Sequence, residues 1–138
     1  MMSAEQNMAI SRNFLETAWR KKDFGGLSQF VAQDHIAHGP FTDQLPAGLE
    51  GVQAFASTFT TAFPDVTYTI DSQETDGDLV KTQVTYHGTH KAELMGVPAT
   101  GRQATVPVLI TDRINGGKIV ESWAEWDSND MMRQLGVG

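Results

Sequence analysis

Cysteine does not occur among the 138 residues, and that absence excludes disulfides, thiolate metal sites and thiol nucleophiles at once. No run of 18 apolar residues exists, so no segment reads as a membrane-spanning helix. The opening Met1-Met2-Ser3-Ala4-Glu5-Gln6 lacks the basic and then apolar plan of a secretory leader, which makes the cytoplasm the expected location. Positive charge is scarce: ten Lys and Arg stand against 17 Asp and Glu, for a net charge of −7. The bases cluster only at Arg20-Lys21-Lys22, so neither nucleic acid nor an anionic membrane is an expected partner. Also missing are a Gly-x-Ser-x-Gly elbow, a Gly-x-Gly-x-x-Gly turn after a strand and a P-loop, which removes the standard nucleotide and serine-hydrolase devices.

What remains is a globular composition, 40% hydrophobic and 20% charged, at a length suited to one core. Residues 1–138 are therefore read as a single domain. From Gln6 to Lys22 the apolar positions Ile10, Phe14, Leu15, Ala18 and Trp19 follow one helical stripe. Asp23 can cap a second, shorter helix with Leu27, Phe30 and Val31 on one face, although Gly25 and Gly26 weaken its first turn. His35 to Gly48, with two Pro and two Gly, reads as a long loop holding a short extended piece around His38. Val52, Phe55, Ala56, Phe59, Ala62 and Phe63 repeat as a third helix, stopped by Pro64.

After Asp65 the period changes to two. Val66, Tyr68 and Ile70 alternate with polar neighbours, and Asp76-Gly77-Asp78 makes a turn. In the next strand Val80, Thr82, Val84, Tyr86, Gly88 and His90 share the face expected to point inward. Two more strands, 104–114 and 118–126, flank the hairpin signal Asn115-Gly116-Gly117, and 128–135 closes the chain with a short helix. Helices first and antiparallel strands afterwards predict an α+β layout, three N-terminal helices packed on a strongly curved antiparallel sheet. The hollow of such a cone is the expected ligand site.

Titratable groups on apolar walls are the candidates for chemistry. Asp127 stands at the end of the last strand, where a half-buried carboxyl could move a proton, and equally where an Asp before Ser-Asn-Asp makes a good helix N-cap. His38 and His90 can each present a neutral imidazole to the hollow, or simply hydrogen-bond the backbone. In the strand holding Trp123, both parities carry a Trp, so the pattern alone leaves its facing open. Phe55 and Phe59 read chiefly as core, with one edge of the stripe able to floor the cavity. His35/His38 and His87/His90 are His-x-x-His pairs, but an i, i+3 pair on a strand points to opposite faces, so no metal is expected.

Several runs together carry a family resemblance. Glu50-Gly51, Ala62-Phe63-Pro64-Asp65, Gly88-Thr89-His90, Gly96 to Arg102, Gly117 to Trp123, Asp127 and Gln134-Leu135-Gly136 occur in an order and spacing that resembles the SnoaL-like polyketide cyclases, also called ester cyclases. The resemblance implies an NTF2-like cone and a cofactor-free lyase or isomerase type of enzyme, often a homodimer or tetramer; a homodimer is the expectation here. It implies an intramolecular aldol condensation on a small, apolar, carbonyl-rich substrate, with Asp127 as the acid/base, His38 and His90 at pocket positions and Trp123 as an aromatic wall. A carbon flanked by carbonyls is acidic enough for one carboxylate in a dry pocket, and a nearby His or Tyr86 could protonate the carbonyl that becomes the hydroxyl. The Asp-Arg-Asp trio of related epoxide hydrolases could be approached only by Asp112, Arg113 and Asp127. Adjacent strand residues face opposite ways, so that trio would need a bulge. The competing expectations are a non-catalytic small-molecule-binding or dimerisation module and a related hydrolase or hydroxylase.

Overall fold

The computed structural model describes residues 3–137. Ser3 opens α1 (Ala4–Leu15) with a capping box: the Gln6 N–H donates to the Ser3 hydroxyl, and the Gln6 side chain accepts from the Ser3 N–H. The stripe continues past Leu15, but as a π-helical turn over Glu16–Arg20. Glu16 anchors that turn, pairing with Arg20 and accepting the Tyr68 hydroxyl at 3.0 Å.

The second expected helix is reduced to a 3-10 turn at Gly25–Gln29, after which Val31 starts a strand. Gly25 and Gly26 cost the helix its first turn, and Val31 pairs with Ile119 at the sheet edge. The expected loop gives up its first four residues, His35 to His38, to the end of β1 (Val31–His38), where a short extended piece was expected. α2 (Leu49–Ala62) is followed by β2 (Thr67–Asp76), β3 (Leu79–Thr89), β4 (Gln103–Asn115), β5 (Lys118–Glu125) and α3 (Ser128–Gln134). The three α-helices pack on one five-stranded sheet of order β1-β5-β4-β3-β2, antiparallel except that β1 runs parallel to β5.

Two irregularities decide which side chains point inward. The β4–β5 register slips between Arg113 and Ile114, leaving Val120 as an extra residue on β5. Ile119 therefore shares the inner face with Ser122, Ala124 and Trp126, while Glu121, Trp123 and Glu125 turn out. The β1–β5 register also shifts, between Val31 and Ile36. Val31 and His35, four residues apart, share the inner face, where His35 is only 5% exposed, and the shift sets His35 beside Ser122.

The main core fills the space between the sheet and α1, the π turn and α2, with Leu15, Ala18, Leu27, Ala62, Val84 and Leu135 almost wholly buried. A smaller cluster of Ile10, Val80, Ile114 and Ile119 closes the end under α1. At Gly88 a Cβ would stand 3.0 Å from the Phe63 Cβ, so glycine on this inner face lets the end of α2 settle on the sheet.

Candidate active site

Between α2 and the inner face of the sheet lies a cavity of about 460 Å³. Its walls are apolar: Phe55, Phe59 and Phe63 from α2, and Val106, Val108 and Ile110 from β4. Phe55 and Phe59 stack at 4.6 Å, and Trp126 meets Phe59 edge-on at 6.3 Å. A cavity of this size and lining accommodates a small, flat, apolar molecule.

One buried place holds a linked set of polar groups. Asp112 lies 4% exposed on the inner face of β4, opposite Ser122 of β5. The Ser122 hydroxyl donates to Asp112 Oδ1 at 2.7 Å, and the Ser11 hydroxyl, from α1, donates to Oδ2 at 2.9 Å. Ser122 Oγ also stands 2.9 Å from His35 Nε2. A hydroxyl has one proton, and that of Ser122 is already on Asp112, so His35 Nε2 is the donor of this last bond. The tautomer follows: the free lone pair of the ring is on Nδ1, which is buried and has no hydrogen-bond partner among the described residues.

Burial sets the charge states. Removal from water lowers the His35 pKa to about 4, against the opposing pull of Glu121 and with a small addition from His38, so the ring is neutral near pH 7. Burial also raises the Asp112 pKa, resisted by the hydroxyls of Ser122 and Ser11. The Tyr86 phenol, half-buried on the cavity wall, is pushed up by burial first and by the Asp112 charge next, so it keeps its proton.

The residues singled out by spacing are distributed more widely than expected. Tyr86, Phe55 and Phe59 line the cavity. Asp127 does not: its side chain is 65% exposed and caps α3, accepting the Asp130 N–H at 3.0 Å. The helix start is the stronger claim on a carboxylate that has left the sheet. Trp123 faces outward, stacked on His38 at 5.3 Å and approached by the Arg113 guanidinium at the same distance, because the bulge at Val120 reverses the parity of β5. His38 reaches the cavity rim but gives Nε2 to Glu121 at 2.7 Å on the outer face. His90 is fully buried behind Phe63, on which it stacks at 5.5 Å, and its Nδ1 accepts the Thr100 N–H.

Asp112 and Arg113 lie on opposite faces, Arg113 pairing with Glu121 and Asp78 outside, so no Asp-Arg-Asp trio forms. Among the described residues no three His, Asp or Glu side chains stand together as a metal site would require. The sequence reading missed His35, Ser122 and Asp112 as a group. One signal for it was present: Ala104, Val106, Val108, Ile110 and Ile114 occupy alternate positions, and the one carboxylate in that series is Asp112.

Comparison with known proteins agrees with this architecture. Among curated proteins no relative matches. Of the solved structures, IdmH from Streptomyces antibioticus, a candidate polyketide cyclase, is 34% identical over 96% of this chain and 99% of its own, with a TM-score of 0.79. TsrD from Streptomyces laurentii superposes over 100% of both chains with a TM-score of 0.88 at 22% identity. AclR from Streptomyces galilaeus, a candidate hydroxylase, covers 97% of this chain and 98% of its own at 24% identity, with a TM-score of 0.82. These last two establish the fold alone. The family model described as SnoaL-like polyketide cyclase matches residues 9–135, from the middle of α1 to the end of α3. With that span and an NTF2-like architecture, the chain belongs to the SnoaL-like polyketide cyclase family.

Proposed function

We propose that this protein is a cofactor-free acid/base enzyme that closes a ring by intramolecular aldol condensation in a small, apolar, carbonyl-rich substrate held in the cavity. One observation carries the reading: the chain Asp112–Ser122–His35 ends in a buried, unpartnered basic nitrogen at an otherwise apolar cavity. His35 Nδ1 takes the proton from a carbon flanked by carbonyls. The ring becomes an imidazolium, and the Asp112 carboxylate behind Ser122 stabilises that charge. The enolate carbon then attacks a second carbonyl of the same molecule, and the proton held on Nδ1 returns to the oxygen that becomes the hydroxyl. Up to this hydroxyl, the addition stage of the aldol reaction, nothing is lost or added, and the site ends as it began.

The lowered pKa of His35 suits this role, since the ring enters the reaction as a free base. Asp112 and Ser122 act through His35 and are positioning residues. Asp127, by contrast, is engaged by the N-terminus of α3 and exposed to water. The IdmH description as a candidate polyketide cyclase is in keeping with this chemistry.

The test is ring closure of an aromatic polyketide methyl ester, followed for the wild type and for His35→Gln and Asp127→Asn, with thermal melting to check folding. Turnover is expected in the wild type and in Asp127→Asn, and its loss in His35→Gln. Loss in Asp127→Asn with His35→Gln active would overturn the assignment of the base.

A further inference from the structure

Two aromatic residues at this cavity carry side-chain donors without a hydrogen-bond partner among the described residues. Trp19 is 8% exposed, and its buried Nε1–H has no hydrogen-bond partner among the described residues. Such a donor is costly to bury unmatched, and native structures rarely keep one. Its ring is held edge-on by Tyr86 at 5.2 Å and by Phe55 at 6.5 Å, all three on the cavity wall. The indole N–H approaches the Tyr86 hydroxyl without closing a hydrogen bond.

Tyr68 shows what the sequence does with a tyrosine that has no such task. It pairs directly with Tyr86 across β2 and β3, yet its hydroxyl donates to Glu16 at 3.0 Å. Arg20 lies over the Tyr68 ring at 4.6 Å. Both partners of Tyr68 belong to the π-helical turn that carries Trp19, so Tyr68 clamps that turn while the Tyr86 O–H has no partner among the described residues. Single π turns inside α-helices recur at functional sites.

We propose that Tyr86 and Trp19 form a subsite for one carbonyl oxygen of the substrate, Tyr86 O–H donating to the oxygen and Trp19 Nε1–H donating to the Tyr86 oxygen behind it. A hydroxyl that donates accepts more strongly, so the two bonds reinforce one another, and a ligand oxygen that takes the Tyr86 proton strengthens the bond from Trp19. Tyr86 touches the substrate; Trp19 is a positioning residue. The polarised carbonyl is the one whose α-carbon loses its proton, so negative charge grows where the donors point. The subsite rests on the reading of this cavity as the substrate site, and it is independent of which group is the base.

The experiment uses two probes of one shape, 2-acetylnaphthalene, whose carbonyl can only accept, and 2-ethylnaphthalene, which lacks the oxygen. In the full-length protein the ketone is expected to bind roughly tenfold tighter than the hydrocarbon, the size of one net hydrogen bond. Its carbonyl infrared band should move below its position in cyclohexane. Tyr86→Phe should abolish both effects, and Trp19→Phe should reduce the band shift, while 2-ethylnaphthalene binds each variant as it binds the wild type, which also shows that the cavity is intact. His35→Gln should leave the band shift in place, because Nδ1 has no proton to offer a carbonyl.

A band at its cyclohexane position in the wild type, or an equal shift in the wild type and Trp19→Phe, overturns the subsite. A shift lost in His35→Gln and kept in Tyr86→Phe overturns it as well, by placing the oxygen on the other group. If neither probe binds, the cavity reading itself falls and takes the subsite with it.

Discussion

His35 and His38 lie three residues apart on β1, and each reaches across to β5, His35 to Ser122 and His38 to Glu121. Inside, His35 is 5% exposed, neutral and tied to a single buried carboxyl through a hydroxyl. Outside, the His38 side chain is 46% exposed and belongs to a surface group in which Glu121 also pairs with Arg113, and Trp123 lies against both His38 and Arg113. The inner group has a basic nitrogen to spare, whereas the outer group satisfies its charges among themselves and in water. The two faces of one pleat therefore turn the same imidazole into a buried neutral base or a surface contact, and the difference lies in solvation.

The sharpest way to break the contrast is by kinetics. His35→Gln should reduce turnover by about 10²- to 10⁴-fold, the usual contribution of a positioned base, while His38→Gln should fall far short of that; kcat for both, measured on folded protein, decides it. The next largest effect is on stability against pH. The His35 pKa is 6.5 when unfolded and about 4 when folded, so the unfolded chain binds the extra proton between those values. Stability should fall as pH drops from 6.5 towards 4, by up to about 3 kcal/mol from this ring. The raised pKa of Asp112 works against it, since the folded state gains protons there as pH falls below the folded value. Urea midpoints at pH 7 and pH 5 should therefore differ more in the wild type than in His35→Gln, and equal differences would remove the ring from the account.

Ser122→Ala comes third. It leaves Asp112 Oδ1 and His35 Nε2 unmatched in the interior and should cost about 1–3 kcal/mol in a denaturant titration, with Thr at the same position recovering part of the loss. The smallest expected effect belongs to Asp127→Ala. It removes the α3 cap, should cost about 1 kcal/mol, and should leave turnover in place.

The contrast also shows where the sequence was readable. On β3 the alternation is unbroken, and Val80, Thr82, Val84, Tyr86 and Gly88 point inward as their spacing predicts. The phenylalanines of α2 follow from period alone, since Pro64 and the helical repeat bound them locally. His35, Ser122 and Trp123 could not be read that way. The facing of Ser122 and Trp123 depends on an extra residue at Val120, and the partner of His35 on a shift within β1, and neither carries a local signal such as Gly or Pro. β1 itself resembles a helix end followed by a loop because its partner lies almost 90 positions along the chain, where no window can see it. For Asp127 both roles were visible in the residues, and only its position relative to the sheet end separates them.

The parallel pairing of β1 with β5 has a consequence in time as well as in space. The His35–Ser122 bond joins residues 87 positions apart, and the Ser11–Asp112 bond joins residues 101 apart. Contacts so distant close only after the hairpins between them exist, which makes β1 docking a late event in folding. During synthesis the nascent chain can build α1, α2 and the β2–β3 hairpin while still lacking β5, the strand that pairs with β1 and carries the partner of His35. The Asp112–Ser122–His35 chain is thus complete only once β5 is in place, and a chain ending before Ser122 would hold α1, α2 and β1 to β4 without it.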